Sequence, residues 1–167
     1  MGLGNHTLEQ VLQVNTLGVR RVSERFAPLL PSTGGRIVNI TSAAGPNFVS
    51  ACQPERQTFF CNPQLELSDW QQAIDDCLAM EGDSDAIEAA GFPALQAYGL
   101  SKAFANSYTM ITARLHPGML INACTPGFIE TYMTRAYAEA QGKEPSELGM
   151  KPPKAATNAP LYLLLGQ

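Results

Sequence analysis

Two short runs rich in β-branched and other apolar residues, at 36–41 and 119–125, lie on either side of a long stretch patterned for helix. In the first, Ile37, Val38 and Ile40 point to burial on both faces, as in parallel sheets, and the second reads as a second buried strand. Two strands joined by a helical crossover pair in parallel through a right-handed connection. A two-stranded parallel sheet is thin, and each strand keeps an open edge. The expected class is therefore α/β, an incomplete doubly wound parallel sheet with flanking helices and the N-terminal half missing.

The helices can be read around these strands. Thr7-Leu-Glu-Gln10 has the form of a capping box, and apolar residues recur at helical spacing at Leu8, Val11, Leu12, Val19, Val22 and Phe26. One helix over 8–27 is expected, stopped near Pro28. Residues 31–35 form a turn. A second strong helix spans 94–115, ended by His116-Pro-Gly118, and a last apolar helix spans 154–165. Between these, residues 46–93 hold several prolines and glycines, much of the acidic charge and three of the four cysteines, and read as an insertion within a single partial domain over 1–167. Ser68 is placed to cap a helix there that carries Trp70, Ile74 and Cys77 on one side. The acidic residues Asp75, Asp76, Glu81, Asp83, Asp85 and Glu88 are irregularly spaced and fit a solvated surface.

Composition narrows the function classes. At 167 residues and 45% hydrophobic content the chain can build a sizeable core as one domain. With a net charge of −4 and only 11 Lys and Arg, none in a run, there is no footprint for nucleic acid. Cys52, Cys61, Cys77 and Cys124 form no Cys-x-x-Cys pair and only His6 and His116 accompany them, so no metal site is expected and reduced thiols in a cytoplasmic protein are. Neither a membrane span nor a leader is visible.

The chemistry is concentrated in three side chains. Tyr98-Gly-Leu-Ser-Lys102 puts a phenol and an amine one turn apart on a helix face, and Ser42 brings a hydroxyl to a strand end. A phenol, with its ordinary pKa near ~10, needs a neighbouring cation before it exchanges protons readily at neutral pH. Lys102 is placed to provide one. Ser42 could hydrogen-bond a carbonyl oxygen while Tyr98 protonates it, which is general acid catalysis on a carbonyl. Hydride must then come from a nicotinamide.

Four motifs in order carry a specific resemblance: Val14-Asn15-Thr-Leu-Gly18, Val38-Asn-Ile-Thr-Ser42, Tyr98-Gly-Leu-Ser-Lys102 and Pro126-Gly-Phe-Ile-Glu-Thr131. The chain resembles the C-terminal half of a Rossmann-like short-chain dehydrogenase/reductase. The resemblance implies that Asn15 holds a water in a proton relay toward Lys102 and that Ser42 orients the carbonyl. It implies that Tyr98 donates the proton, and that Lys102 lowers the Tyr98 pKa and binds the nicotinamide ribose. Pro126, Gly127, Ile129 and Thr131 would make the cofactor-side loop, with Thr131 and the Ile129 backbone holding carboxamide and pyrophosphate.

Tyr98 follows Ser42 by 56 positions, much farther than most members allow. A long insertion before the catalytic helix resembles the monomeric NADPH-dependent carbonyl reductases, which act on aldehydes, ketones and quinones. In that subgroup the insertion covers the face other members use to dimerise, so the complete protein would be a monomer, whereas a fragment could self-associate through its open sheet edge. Missing from the sequence are the glycine-rich phosphate turn and the residues that choose between NADH and NADPH. Gly2-Leu-Gly4 is no substitute, because no strand precedes it. A truncated reductase with weak cofactor affinity is therefore expected. A non-catalytic interaction module pairing its sheet edge with another chain is the alternative, and an epimerase of the extended superfamily a third reading.

Overall fold

The computed structural model describes residues 6–166. Gly2-Leu-Gly4 lies outside the described residues. Two strands, β1 (Arg36–Ile40) and β2 (Leu120–Cys124), pair in parallel in the register Ile37 to Ile121 and Asn39 to Ala123. The chain between them supplies the crossover.

The helix foreseen over 8–27 is two helices, α1 (Leu8–Asn15) and α2 (Leu17–Phe26), followed by a short 3₁₀ turn at Ala27–Leu29. The capping box at Thr7 and Gln10 opens α1. The break falls at Thr16, whose φ of −116° and ψ of −67° stay in the right-handed region but away from regular helix values, and whose Oγ1 donates to the Ser101 carbonyl at 2.9 Å. Helical backbone bonds continue on both sides, from the Thr16 amide to the Leu12 carbonyl at 3.0 Å and from the Arg20 amide to the Thr16 carbonyl at 3.1 Å, so the break is a local distortion at the residue whose hydroxyl reaches Ser101.

After β1 come α3 (Ala44–Ser50), α4 (Pro54–Cys61), α5 (Leu67–Ala79) and α6 (Ser84–Ala89), then the long α7 (Ala97–Leu115). The cap of α5 is Glu66, not Ser68, which instead lies in the first turn. Trp70, Ile74 and Cys77 do share the buried face, each with essentially no exposure, while the six acidic residues stand in solvent. Beyond β2 follow α8 (Tyr132–Ala140), which has no counterpart among the helices expected from sequence, a 3₁₀ turn at Pro153–Thr157 and α9 (Asn158–Leu165).

α7 is the axis of the molecule. More than half of its residues are buried, and the positions that let neighbours come close are small: Gly99, Ser101, Ala103, Ala105 and Ser107. Against one side pack the aromatic side chains of α4 and α5, with Phe60 and Trp70 edge-on to Phe104 at 5.1 and 6.0 Å between centroids. The Trp70 indole N–H donates to the Phe104 carbonyl at 3.0 Å, so its one polar atom is satisfied inside the core. The opposite side of α7 meets the sheet, where the Asn39 amide donates to Thr109 Oγ1 at 2.9 Å. Strand side chains alternate, so Arg36 faces away from α7, and its guanidinium donates to Leu163 O of α9 at 2.8 Å.

α3 and α7 nearly touch. A Cβ on Gly45 would stand 2.9 Å from the Lys102 carbonyl carbon and 3.0 Å from the Ala103 nitrogen, and one on Gly99 would stand 3.0 Å from Phe48 Cβ. Glycine at both positions is what allows this crossing.

The expected two-sided burial of the strands is not found. Ile37 and Val38 are half-buried, and Ile40 and Leu120 are 46% and 45% exposed. Among the described residues neither outer edge of the pair meets another strand, so side chains suited to a wider sheet remain partly in water.

Candidate active site

The parallel ladder carries its pairing one residue past β1, through the Thr41 amide donating to the Cys124 carbonyl at 2.8 Å. Ser42 follows at once, and its Oγ accepts from the Ala44 amide at 3.2 Å, which turns the chain into α3. Because α3 lies against α7 through the two glycines, Ser42 arrives beside the first turn of α7. That turn carries Tyr98.

Lys102 sits one turn on. Its Nζ lies 5.7 Å from the Tyr98 ring centroid, within reach of a cation–π contact, and donates to the Ile40 carbonyl at 3.2 Å. The ammonium is thereby tied to the strand end that carries the serine. Burial pushes the Lys102 pKa below its ordinary value, since the charged form is partly stripped of water.

Ser42 and Tyr98 line one cavity of about 650 Å³ together with Pro126, Gly127, Ile129 and Thr131. Six positions drawn from three separate sequence motifs therefore converge on one space. Asn15 and Lys102 do not line it. Asn15 is buried at the end of α1, and its amide donates to Ser101 Oγ at 3.2 Å, while that hydroxyl donates to the Tyr98 carbonyl at 2.8 Å. Asn15 is thus bonded to the helix that carries the phenol, through Ser101.

The cavity also holds residues that sequence reasoning missed: Asn47, Phe128, Thr134 and Tyr137. Phe128 and Tyr137 meet edge-on at 6.1 Å and form an aromatic rim. The overlooked helix α8 had a signal. Thr131 caps it by accepting from the Thr134 amide at 3.4 Å, and Thr134 Oγ1 accepts in return from the Thr131 amide at 2.8 Å. This is a capping box in which a hydroxyl replaces the usual Glu or Gln, so a search for a carboxylate or amide passes over it.

The residues present fit the nicotinamide end of a dinucleotide. Gly127 has a φ of +91° with nothing within 4 Å of where a Cβ would be, so its backbone is open to close approach. The first turn of α8 borders the cavity with Thr131 and Thr134, and a helix N-terminus suits phosphate oxygens. Among the described residues no group of His, Cys, Asp and Glu is placed to hold a metal, and no helix is long and apolar enough to cross a membrane.

Comparison with known proteins points to the same family as the sequence resemblance. No family model matches the chain. It is 33% identical over 128 residues to short-chain dehydrogenase/reductase 1 of Saponaria officinalis, covering 74% of this chain and 41% of that protein. It is 29% identical over 160 residues to carbonyl reductase (NADPH) 3 of Mus musculus, covering 88% of this chain and 56% of the relative. The structure of salutaridine reductase from Papaver somniferum superposes with a TM-score of 0.63 at 28% identity, over 75% of this chain and 43% of that one. The chain belongs to the short-chain dehydrogenase/reductase family. It spans roughly half the length, or less, of these relatives.

Proposed function

We propose that this chain carries the carbonyl-reducing part of an NADPH-dependent oxidoreductase whose substrate is an aldehyde, ketone or quinone. The observation that carries the reading is the shared cavity: Ser42, Tyr98 and the 126–131 loop face one space, with the Lys102 ammonium against the Tyr98 ring. NADPH, when bound, supplies the hydride for the carbonyl carbon. Likeness to a carbonyl reductase named for NADPH favours that cofactor over NADH.

The protein's own groups would do the rest. Ser42 Oγ donates a hydrogen bond to the carbonyl oxygen and fixes its direction, and Tyr98 Oη passes its proton to that oxygen as negative charge grows there. The nearby Lys102 charge favours the phenolate left behind, and its amine also reaches the nicotinamide ribose. Asn15 holds a water that returns a proton toward Lys102. Pro126, Gly127, Ile129 and Thr131 hold the carboxamide and pyrophosphate. Residues 1–167 are one partial domain with 46–93 as an insertion, working in the cytoplasm as a monomer when joined to its cofactor-binding half.

The test is reduction of a simple aryl ketone or quinone with NADPH by the parent chain and by Tyr98→Phe. Loss of at least about 100-fold in rate is expected from removing a positioned proton donor. Equal and measurable rates in the two proteins at saturating NADPH would end the assignment. Because the sequence has no glycine-rich phosphate turn, NADPH should bind the chain alone more weakly than micromolar, read by fluorescence titration.

A second reading has its own observation. Val22, Phe26 and Ile40 are 59%, 58% and 46% exposed along the open edge of β1, a surface that an interaction module, or a second copy of the chain, could cover. A discrete hetero-complex in size-exclusion chromatography with no ketone reduction would favour it.

A further inference from the structure

A second cavity, of about 410 Å³, adjoins the first and shares Ala44, Asn47 and Tyr98 with it. Where the first is closed by the 126–131 loop, the second is closed by Ala51, Pro93 and Gln96, which lie in or beside the stretch that lengthens the distance from Ser42 to Tyr98. Its volume falls in the range that holds a small organic molecule.

The lining has a definite chemical character. Phe48, Ala51, Pro93 and Ala97 give it apolar walls, and no Asp, Glu, Lys or Arg contributes to it. Its side-chain hydrogen-bonding groups, apart from the Tyr98 phenol, are the primary amides of Asn47 and Gln96. Both residues are exposed. Gln96 is the cap residue of α7 yet makes no side-chain capping bond, and no other described residue bonds either side-chain amide. Each amide offers donors and an acceptor without net charge.

We infer that this second cavity is the substrate subsite, and that Asn47 and Gln96 select neutral carbonyl compounds bearing a second uncharged polar group, a hydroxyl, amide or further carbonyl, over those bearing a carboxylate. The inference rests on the reading of Tyr98 as the group that meets the reacting carbonyl. With that oxygen at Tyr98 and Ser42, the remainder of the substrate extends between Phe48 and the 93–97 segment, and its distal polar group meets the two amides. A carboxylate there would find no cation in the lining to pair with, whereas an uncharged polar group can exchange both donor and acceptor bonds with the two amides.

Three probes on one ring separate the possibilities: acetophenone, 4-acetylbenzamide and 4-acetylbenzoate. Their binding to the purified full chain is measured by ligand-detected NMR titration, which needs no turnover. The benzamide should bind best and the benzoate worst. Asn47→Ala and Gln96→Ala should each weaken the benzamide about three- to tenfold, the effect of one net hydrogen bond, and leave acetophenone within about twofold. Gln96→Lys should raise affinity for the benzoate. The inference is overturned if the benzoate binds as well as the benzamide, if the alanine variants weaken both neutral ketones alike, or if none of the three binds. Tyr98→Phe should keep the benzamide preference, so absence of reduction with the preference intact would fault the proposed chemistry and spare the subsite.

Discussion

The two flanks of α7 are built from the same kinds of side chain and end in opposite states. On the α4–α5 side, Trp70, Ile74, Cys77 and Phe104 are all fully buried. Around the sheet, Val22, Phe26, Ile40 and Leu165 are each about half exposed or more. The first flank is closed by segments between residues 44 and 115 together with α1, whose Leu8 and Leu12 belong to the same core. The second presents strand edges and helix faces that no other described residue covers. An apolar residue is stabilising only where a partner surface exists to exclude water, so composition alone does not report where stability resides.

This contrast can be broken or sharpened by measurement. The largest effect should come from Trp70→Ala, which empties the centre of the closed flank and leaves the Phe104 carbonyl without its indole donor. A loss of about 3–5 kcal/mol is expected in urea denaturation. Loss below about 1 kcal/mol would mean that the closed flank is not the stable one.

Next comes Gly45→Ala. The added methyl meets α7 backbone, which cannot step aside as a flexible side chain can, and the expected cost is about 1–3 kcal/mol. Ser42 should shift away from Tyr98 along with α3. A crystal structure of the variant with the two helices unmoved would show that the glycine contact does not set the site.

A smaller effect is tied to pH. Burial pushes the Cys77 thiol from 9.0 up to about 12. In the unfolded chain this thiol ionises at its ordinary pKa, while in the fold it stays protonated. The unfolded state therefore binds fewer protons in that window, and stability falls as pH rises from about 9 toward 12, by at most about 1.4 kcal/mol per pH unit from this group. Cys77→Ala should flatten the slope between pH 9 and 10.5. If the slope is unchanged, Cys77 is not its source.

The smallest stability change belongs to the open flank. Phe26→Ser should alter the unfolding free energy by no more than about 0.5 kcal/mol, while lowering binding of a hydrophobic dye. A cost of 2 kcal/mol or more would mean that this flank is packed in solution, and would revive the self-association reading.

Much of the site was legible because its chemistry is local. Tyr98 and Lys102 share a helix face by spacing alone, the Thr7 capping box is four consecutive residues, and the strand ending at Ser42 announces itself by its β-branched run. Where interactions reach across the chain, local pattern misled. Helical periodicity runs unbroken through Thr16, yet the backbone is distorted there, where its hydroxyl meets Ser101, and two helices result. Ser68 looks like a cap but stands two residues inside the α5 cap position. Tyr137 reaches the cavity from a helix whose capping pair is two threonines, and meets Phe128 of the preceding loop there.

The two strands, their parallel pairing and the sharing of one helix face by Tyr98 and Lys102 followed from the amino acids alone, since propensity, periodicity and turn chemistry act over a few residues. Which apolar surfaces closed and which stayed open, how near α3 came to α7, and which amides came to stand beside Tyr98 depended on contacts between residues far apart in the chain. Those are decided by shape and excluded volume, which no short stretch of sequence contains.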